Sequence, residues 1–358
     1  MKTPIETARY MCNTIMSEYK PNDLPGLKDR YHYIQALFLF AIQRYEKISG
    51  DEKCFDYIKE WVDTYIDENG NILNQHDMLD EMYPSVLLFD IYQRTNEKRY
   101  KIALDTTVDR LVNWKFNEYG SFYHMYKTPN QVWLDGLFMA GLLLTEYGRK
   151  YNRPELFNLM ARQAKNMYDH MRKADTGMYL HAWDCTKEAE WANKQTGLSS
   201  ECWARSMGWV AFALCDMLEN IPQSHSAFAD MKKQLIELLD GLIKYQDKQS
   251  GMWYQVPDKI DFSDNWIETS ASCLFAYAMH KAARLGIGNV DKYKKCADTA
   301  YEGIMNSTKE SDDGTLIIPN ICVGTNVTDY EGYISRPRRD NDSHGTGAFI
   351  LMCCEFSM

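Results

Sequence analysis

Apolar positions along this chain fall into two alternating kinds of helical stretch. The first kind is amphipathic, as in EKCFDYIKEWVDTYI, where Phe55, Ile58, Trp61, Val62, Tyr65 and Ile66 share one face at helical spacing, and in PELFNLMARQAKNMYDHMRK. The second kind is apolar nearly all round: MYPSVLLFDIY, VWLDGLFMAGLLL, SMGWVAFALCDML, ASCLFAYAMHKAA and the closing HGTGAFILMCC. A helix apolar on every side has to be buried on every side. Between the two kinds stands a recurring turn that ends in Gly and runs into two or three apolar residues. It occurs as ENGNIL at Gly70, EYGSFY at Gly120, DTGMYL at Gly177, QSGMWY at Gly251 and DDGTLI at Gly314, at spacings of 50, 57, 74 and 63 residues.

The repeating unit is therefore an outer amphipathic helix, a Gly turn with a short extended segment, a polar loop and an inner buried helix. Five such units follow an opening helix, YHYIQALFLFAIQRY, which gives six inner helices. Six inner helices ringed by outer ones predict an all-α fold, an (α/α)6 barrel with short extended segments at its cavity end. An open helical solenoid is the competing arrangement, but its helices keep one solvated side and its repeat length is steadier. In the barrel all Gly turns and the loops after them lie at one end. The inner helix N-termini converge there on a single cavity, and their partial positive charge suits an anionic ligand.

Composition narrows the rest. The 358 residues are 45% hydrophobic and show no Pro/Gly/Ser-rich linker or charged tail, so one domain over 1–358 is expected. A net charge of −10 argues against nucleic acid or an anionic membrane as partner. No run approaches a membrane span, and MKTPIETARYMC lacks the apolar core of a signal peptide. The ten cysteines form no CxxC pair and mostly sit in apolar helical patterns, as expected for buried thiols of a cytoplasmic protein. No metal-binding, phosphate-loop, dinucleotide or nucleophile-elbow motif is present, so no cofactor and no metal are expected. A monomer or weak dimer acting on a small molecule is the expectation.

The predicted cavity mouth is rich in chemistry: Asp77 and Asp80; His124, Lys127 and Asp135; His181 and Trp183; Glu201, Arg205 and Trp209; Trp266 and Glu268; and Arg336, Arg338, Arg339 and His344. Aromatic rings beside carboxylates and Arg suit a sugar, whose C–H faces stack on Trp and whose carboxylate pairs with Arg or His. Bland readings compete. They make Trp209 core, His181 structural, Arg205 a partner of Glu201 one turn away, and Arg338 and Arg339 parts of a solvated loop. Asp135 stands out because Trp133, Leu134, Leu137 and Phe138 surround it. An ionised carboxylate there is costly unless it caps the helix or works, and an apolar setting favours the protonated form a general acid needs. Asp80 occupies the equivalent place one repeat earlier, and two converging carboxylates would split their titration.

LDEMYPSVLLF, QVWLDGLFMAG, YLHAWD, ECWARSMGWV and SHGTGAFIL, in this order from about residue 25 to the end, resemble glycoside hydrolase family 105, the unsaturated rhamnogalacturonyl hydrolases. The resemblance implies hydration of the C4=C5 double bond that pectin lyases leave in a terminal uronate. An Asp matching Asp135 protonates C4 and then serves as base for the water that adds at C5. The hemiketal opens and releases the rest of the saccharide. Asp80 matches the family's second Asp, which orients water or holds sugar hydroxyls. His181, Arg205 and Trp209 match binding positions, and His32, Tyr33, His124, Trp133 and His344 match or line further parts of the pocket. Three alternatives remain: an unsaturated glucuronyl hydrolase working on glycosaminoglycan or ulvan fragments, a barrel sugar epimerase using His181 and His344, and a non-enzymatic helical scaffold.

Overall fold

The computed structural model describes residues 2–312 and 314–358; Asp313 of the DDG turn lies outside the described residues. Six inner helices are present: α2 (Tyr33–Ser49), α4 (Leu88–Thr95), α6 (Asp135–Lys150), α8 (Ala204–Asn220), α10 (Thr269–Arg284) and α13 (Ser343–Glu355). Around them stand α1 (Pro4–Glu18), α3 (Lys53–Tyr65), α5 (Lys98–Val112), α7 (Glu155–Met171), α9 (Ser226–Ile243) and α11 (Val290–Ser307). Each outer helix packs on one inner helix, α3 on α2, α5 on α4, α7 on α6, α9 on α8, α11 on α10 and α1 on α13. The inner set closes on itself, because α13 packs against both α10 and α2. The fold is an (α/α)6 barrel, and ring closure rules out the open solenoid.

Burial follows the predicted division. Helix α8 is buried at every position from Ala204 to Leu218, and α13 from His344 to Glu355. Helix α3 instead buries one stripe, Cys54, Tyr57, Ile58, Trp61, Val62 and Tyr65. Phe55, expected on that stripe, is half-buried and carries the Arg94 guanidinium over its ring. The second inner element departs from a plain helix. It opens as two 3-10 turns, Leu79–Glu81 and Tyr83–Leu87, before α4 begins, and Pro84 in the second turn has no N–H for an α-helical bond.

All five turn glycines have φ between +73° and +84°. At Gly177 the conformation is enforced twice: φ is +82°, and a Cβ would stand 2.8 Å from the Glu237 carbonyl oxygen of α9. Gly177→Ala is expected to destabilise the protein by about 1–3 kcal/mol. A guanidinium denaturation midpoint equal to the wild type would contradict this account of the turn.

Short strands decorate the cavity end. β1 (Gln131–Trp133) pairs antiparallel with β2 (Ala182–Asp184), β3 (Lys309–Glu310) with β4 (Leu316–Ile317), and β5 (Ile321–Cys322) with β6 (Arg338–Arg339). The connection from β5 to β6 carries the short helix α12 (Tyr330–Ile334).

The opposite end is closed by charge. Asp216 of α8 accepts from Lys281 Nζ at 2.6 Å, Tyr277 Oη at 2.7 Å and Arg44 at 3.0 Å, and Lys281, fully buried, also reaches Glu219 at 2.7 Å. Burial raises the Asp216 carboxyl, but Lys281 and Arg44 outweigh it and hold the group below its ordinary value. A cavity of about 360 Å³ opens at this end, lined by residues of both charge signs including Arg44, Arg149, Glu146 and Asp216.

Candidate active site

Four of the expected residues sit in the first turn of inner helices: Tyr33 opens α2, Asp135 opens α6, and Arg205 and His344 are second in α8 and α13. Asp80 lies in the 3-10 turn that begins the second inner element. This clustering follows from the barrel, since all inner helices start at the same end, where the loops after the Gly turns deliver them.

Asp135 is not a capping residue. Leu134 precedes the helix without a side-chain cap, and Asp135, a buried residue, turns its carboxyl to His181. Its Oδ2 lies 3.1 Å from Nε2 of that histidine. Strand pairing sets this approach: Trp133 lies opposite Ala182, and Leu134 N–H donates to the His181 carbonyl at 3.1 Å. The expectation of a carboxyl among apolar neighbours alone is thus corrected, because a buried imidazole is its immediate partner. The other ring nitrogen, Nδ1, is 2.6 Å from Tyr333 Oη.

Asp80 sits between two histidines, with Oδ2 3.5 Å from His32 Nε2 and Oδ1 3.4 Å from His124 Nε2. His32 caps α2 by accepting from Ile34 N–H through Nδ1, which leaves its Nε2 hydrogen for Asp80. His124 lies flat on Trp133, ring centroids 4.5 Å apart and 10° from parallel. Burial raises the Asp80 carboxyl, but His124 and then His32 oppose it and leave it below its ordinary value. Asp80 therefore stays ionised at neutral pH.

Arg205 does not pair with Glu201, which instead faces Lys259 at 3.4 Å. Its guanidinium is buried and grips the main chain at the end of β5, donating to the Cys322 carbonyl at 2.5 Å and the Val323 carbonyl at 3.0 Å, and also to Ser270 Oγ at 3.3 Å. Only Nε is left without a partner. Trp209 is fully buried against Phe138 at 4.6 Å, edge-on to Tyr33 at 6.5 Å, and its Nε1–H has no partner either. His344 Nδ1 lies 2.6 Å from Asp342 Oδ1. Burial pushes the imidazole down against the pull of Asp342, so it is neutral near pH 7. Nδ1–H then faces Asp342, and Nε2, bare and unpartnered, can accept.

Other mouth candidates lie elsewhere. Trp183 points to the far side of β2, stacked 4.0 Å from His170, as strand alternation requires. Asp77 pairs with Arg110 at the surface and Lys127 is exposed. Glu268 caps α10 through Ala271 N–H, and Trp266 Nε1–H holds the Ile334 carbonyl at 3.0 Å. Arg338 and Arg339 are exposed, whereas Arg336 donates to the Gly324 carbonyl. Sequence reading missed Tyr333 and Asp342. Asp342 carried a signal, a helix-capping residue two places before His344, but Tyr333 in a polar loop carried none.

Residues 7–358 match the model of Glycosyl Hydrolase Family 88. A solved glycoside hydrolase from family 105 of C. acetobutylicum ATCC 824 superposes with a TM-score of 0.92 at 28% identity, covering 98% of this chain and 99% of that one. The unsaturated rhamnogalacturonyl hydrolase YesR of Bacillus subtilis strain 168 is 31% identical over 232 residues, 64% of this chain and 61% of that protein. The unsaturated glucuronyl hydrolase from Bacillus sp. GL1 shares the fold, with a TM-score of 0.73 at 15% identity over 98% of this chain and 95% of that one. With the family model running over nearly all its length, the chain belongs to Glycosyl Hydrolase Family 88 and is a glycoside hydrolase of the unsaturated uronyl hydrolase class.

Proposed function

We propose that the enzyme removes the terminal 4,5-unsaturated galacturonate from pectin-lyase-derived oligosaccharides by hydrating the C4=C5 double bond, with Asp135 as general acid and base. The observation that carries this reading is the buried Asp135 carboxyl at an inner helix start, one oxygen against His181 and no hydrogen bond from a described residue on the other. In the first half, the Asp135 hydrogen goes to C4 and positive charge develops at C5, shared with the ring oxygen. In the second, water attacks C5 and gives its proton to the Asp135 carboxylate. The hemiketal then opens and expels the remaining saccharide. Asp80, kept ionised between His32 and His124, has the charge to steady the developing cation and to hold sugar hydroxyls.

Unpartnered buried groups suit the remainder of a uronate. Arg205 Nε–H and Trp209 Nε1–H are donors for its carboxylate, His344 Nε2 is an acceptor for a hydroxyl, and Trp133 and Tyr33 offer faces for stacking. Similarity to YesR favours rhamnose as the sugar next to the unsaturated uronate; the C4=C5 bond erases the centre at which galacturonate and glucuronate differ, so the neighbour and its linkage carry the distinction. The ten free cysteines, nine of them buried, suit a reducing compartment, and we place the enzyme in the cytoplasm.

The test is turnover of unsaturated disaccharides, followed by loss of the double-bond absorbance. Galacturonyl-rhamnose is expected to exceed glycosaminoglycan disaccharides by at least about tenfold in kcat/KM, roughly the discrimination of one well-placed sugar contact. A preference for the glucuronyl substrates would move the enzyme to the rival specificity. Turnover of none would end both.

A further inference from the structure

We infer that Tyr333 fixes the tautomer of His181 and so keeps the acidic hydrogen of Asp135 on the oxygen left free for substrate. Tyr333 and His181 are both fully buried, 152 residues apart in sequence, and joined at 2.6 Å. The phenol oxygen already accepts from Thr328 N–H at 3.3 Å, so its single hydrogen goes to its other neighbour, Nδ1 of His181. Burial, the largest influence on this phenol, holds it far above its ordinary range, so the hydrogen is retained. With Nδ1 accepting, the imidazole hydrogen sits on Nε2 and points at Asp135 Oδ2, 3.1 Å away.

The consequence concerns direction. A protonated Asp135 cannot carry its hydrogen on Oδ2, where it would meet the Nε2 hydrogen head-on. The hydrogen is confined to Oδ1, which no described residue occupies. After it leaves, Nε2–H remains to hold the carboxylate for the second half of the reaction. In the opposite tautomer Asp135 would donate to the imidazole, and its proton would face away from substrate.

Tyr333 is built to hold this position. Its ring stacks on Trp203 at 5.9 Å and 14°, and Trp203 also leans on His181 at 4.7 Å. Gln255 closes the circuit: its amide donates to the Tyr333 carbonyl at 3.1 Å and accepts from Trp203 Nε1–H at 3.2 Å. Tyr333 is thus a positioning residue acting through His181.

This inference rests on the reading of Asp135 as the acid, and its test separates the two. In protein carrying nitrogen-15 histidine, with His181 assigned through a His181→Gln variant, long-range proton–nitrogen spectra report which ring nitrogen bears hydrogen. The wild type is expected to show a bare Nδ1 and a protonated Nε2. Tyr333→Phe keeps the ring and its stacking but removes the hydrogen. It is expected to populate the Nδ1–H or doubly protonated form, to lower kcat on the disaccharide by about 10- to 100-fold, the usual cost of losing a residue that orients a site group, and to leave KM within about twofold. A wild-type His181 protonated on Nδ1 overturns the inference, even if Tyr333→Phe fails to fold. So does a Tyr333→Phe protein with unchanged spectrum and kcat. The spectra need no substrate, so absence of disaccharide turnover counts against the functional reading alone.

Discussion

Asp135→Asn is expected to lower kcat/KM on an unsaturated uronyl disaccharide by about a thousandfold, within the range that general acid–base groups contribute. The amide keeps the shape of the carboxyl and can still accept from His181, so the helix start and the pocket are preserved. What it lacks is a proton that can be given to carbon and taken back from water. Binding, read by calorimetry with the intact disaccharide, is expected to persist within about tenfold, because the sugar-holding groups lie on other helices. A variant retaining a tenth of wild-type activity would mean that proton transfer runs elsewhere. Asp80 would be an unsuitable replacement, since its two histidines hold it in the ionised form.

At the other end of the barrel, Asp216→Ala is expected to cost about 3–5 kcal/mol of stability, the usual penalty for removing one partner of a buried ion pair. Lys281 is fully buried and would keep only Glu219, on the more exposed side, as counter-ion, while the Tyr277 hydroxyl would lose its acceptor. Replacing the pair together, Asp216→Leu with Lys281→Met, is expected to recover most of the loss, because apolar side chains of similar volume remove both desolvated charges. The sign with pH follows from the lowered Asp216 value. Its stabilisation is complete above the ordinary carboxylate range and is lost as pH falls through the lower folded value. Denaturation midpoints of the two variants at neutral and acidic pH check both statements. A loss under about 1 kcal/mol for Asp216→Ala would show that water or Glu219 already compensates.

The barrel was legible because its signals are local and repeated. A turn glycine and an all-round apolar helix each announce themselves within a dozen residues, and five repetitions made the count secure. Helix α1 carries a local signal but stands outside the repeat. Thr3 and Glu6 form a capping box around Pro4, but no Gly turn precedes them to mark a repeat. The 3-10 opening before α4 was hidden in a pattern that reads as helix at either pitch.

Placement of Asp80, Asp135, Arg205 and His344 was also legible, because helix starts are predictable. Their partners were not. Arg205 finds its carbonyls 117 and 118 residues away, and His181 meets Tyr333 across 152 residues. No spacing rule spans such gaps. Trp183 failed for a shorter-range reason: a three-residue strand turns every second side chain outward, and that strand was not resolved from the loop around it.

The connection between β5 and β6 is gripped in an indiscriminate way. Arg205, Gln255 and Trp266, all outside it, take hold of its carbonyl oxygens, which every amino acid possesses. Its path past His181 is therefore indifferent to most of the side chains it bears. Evolution, or a designer grafting new loops, can rewrite the exposed positions there while the helical chassis and Asp135 stay untouched.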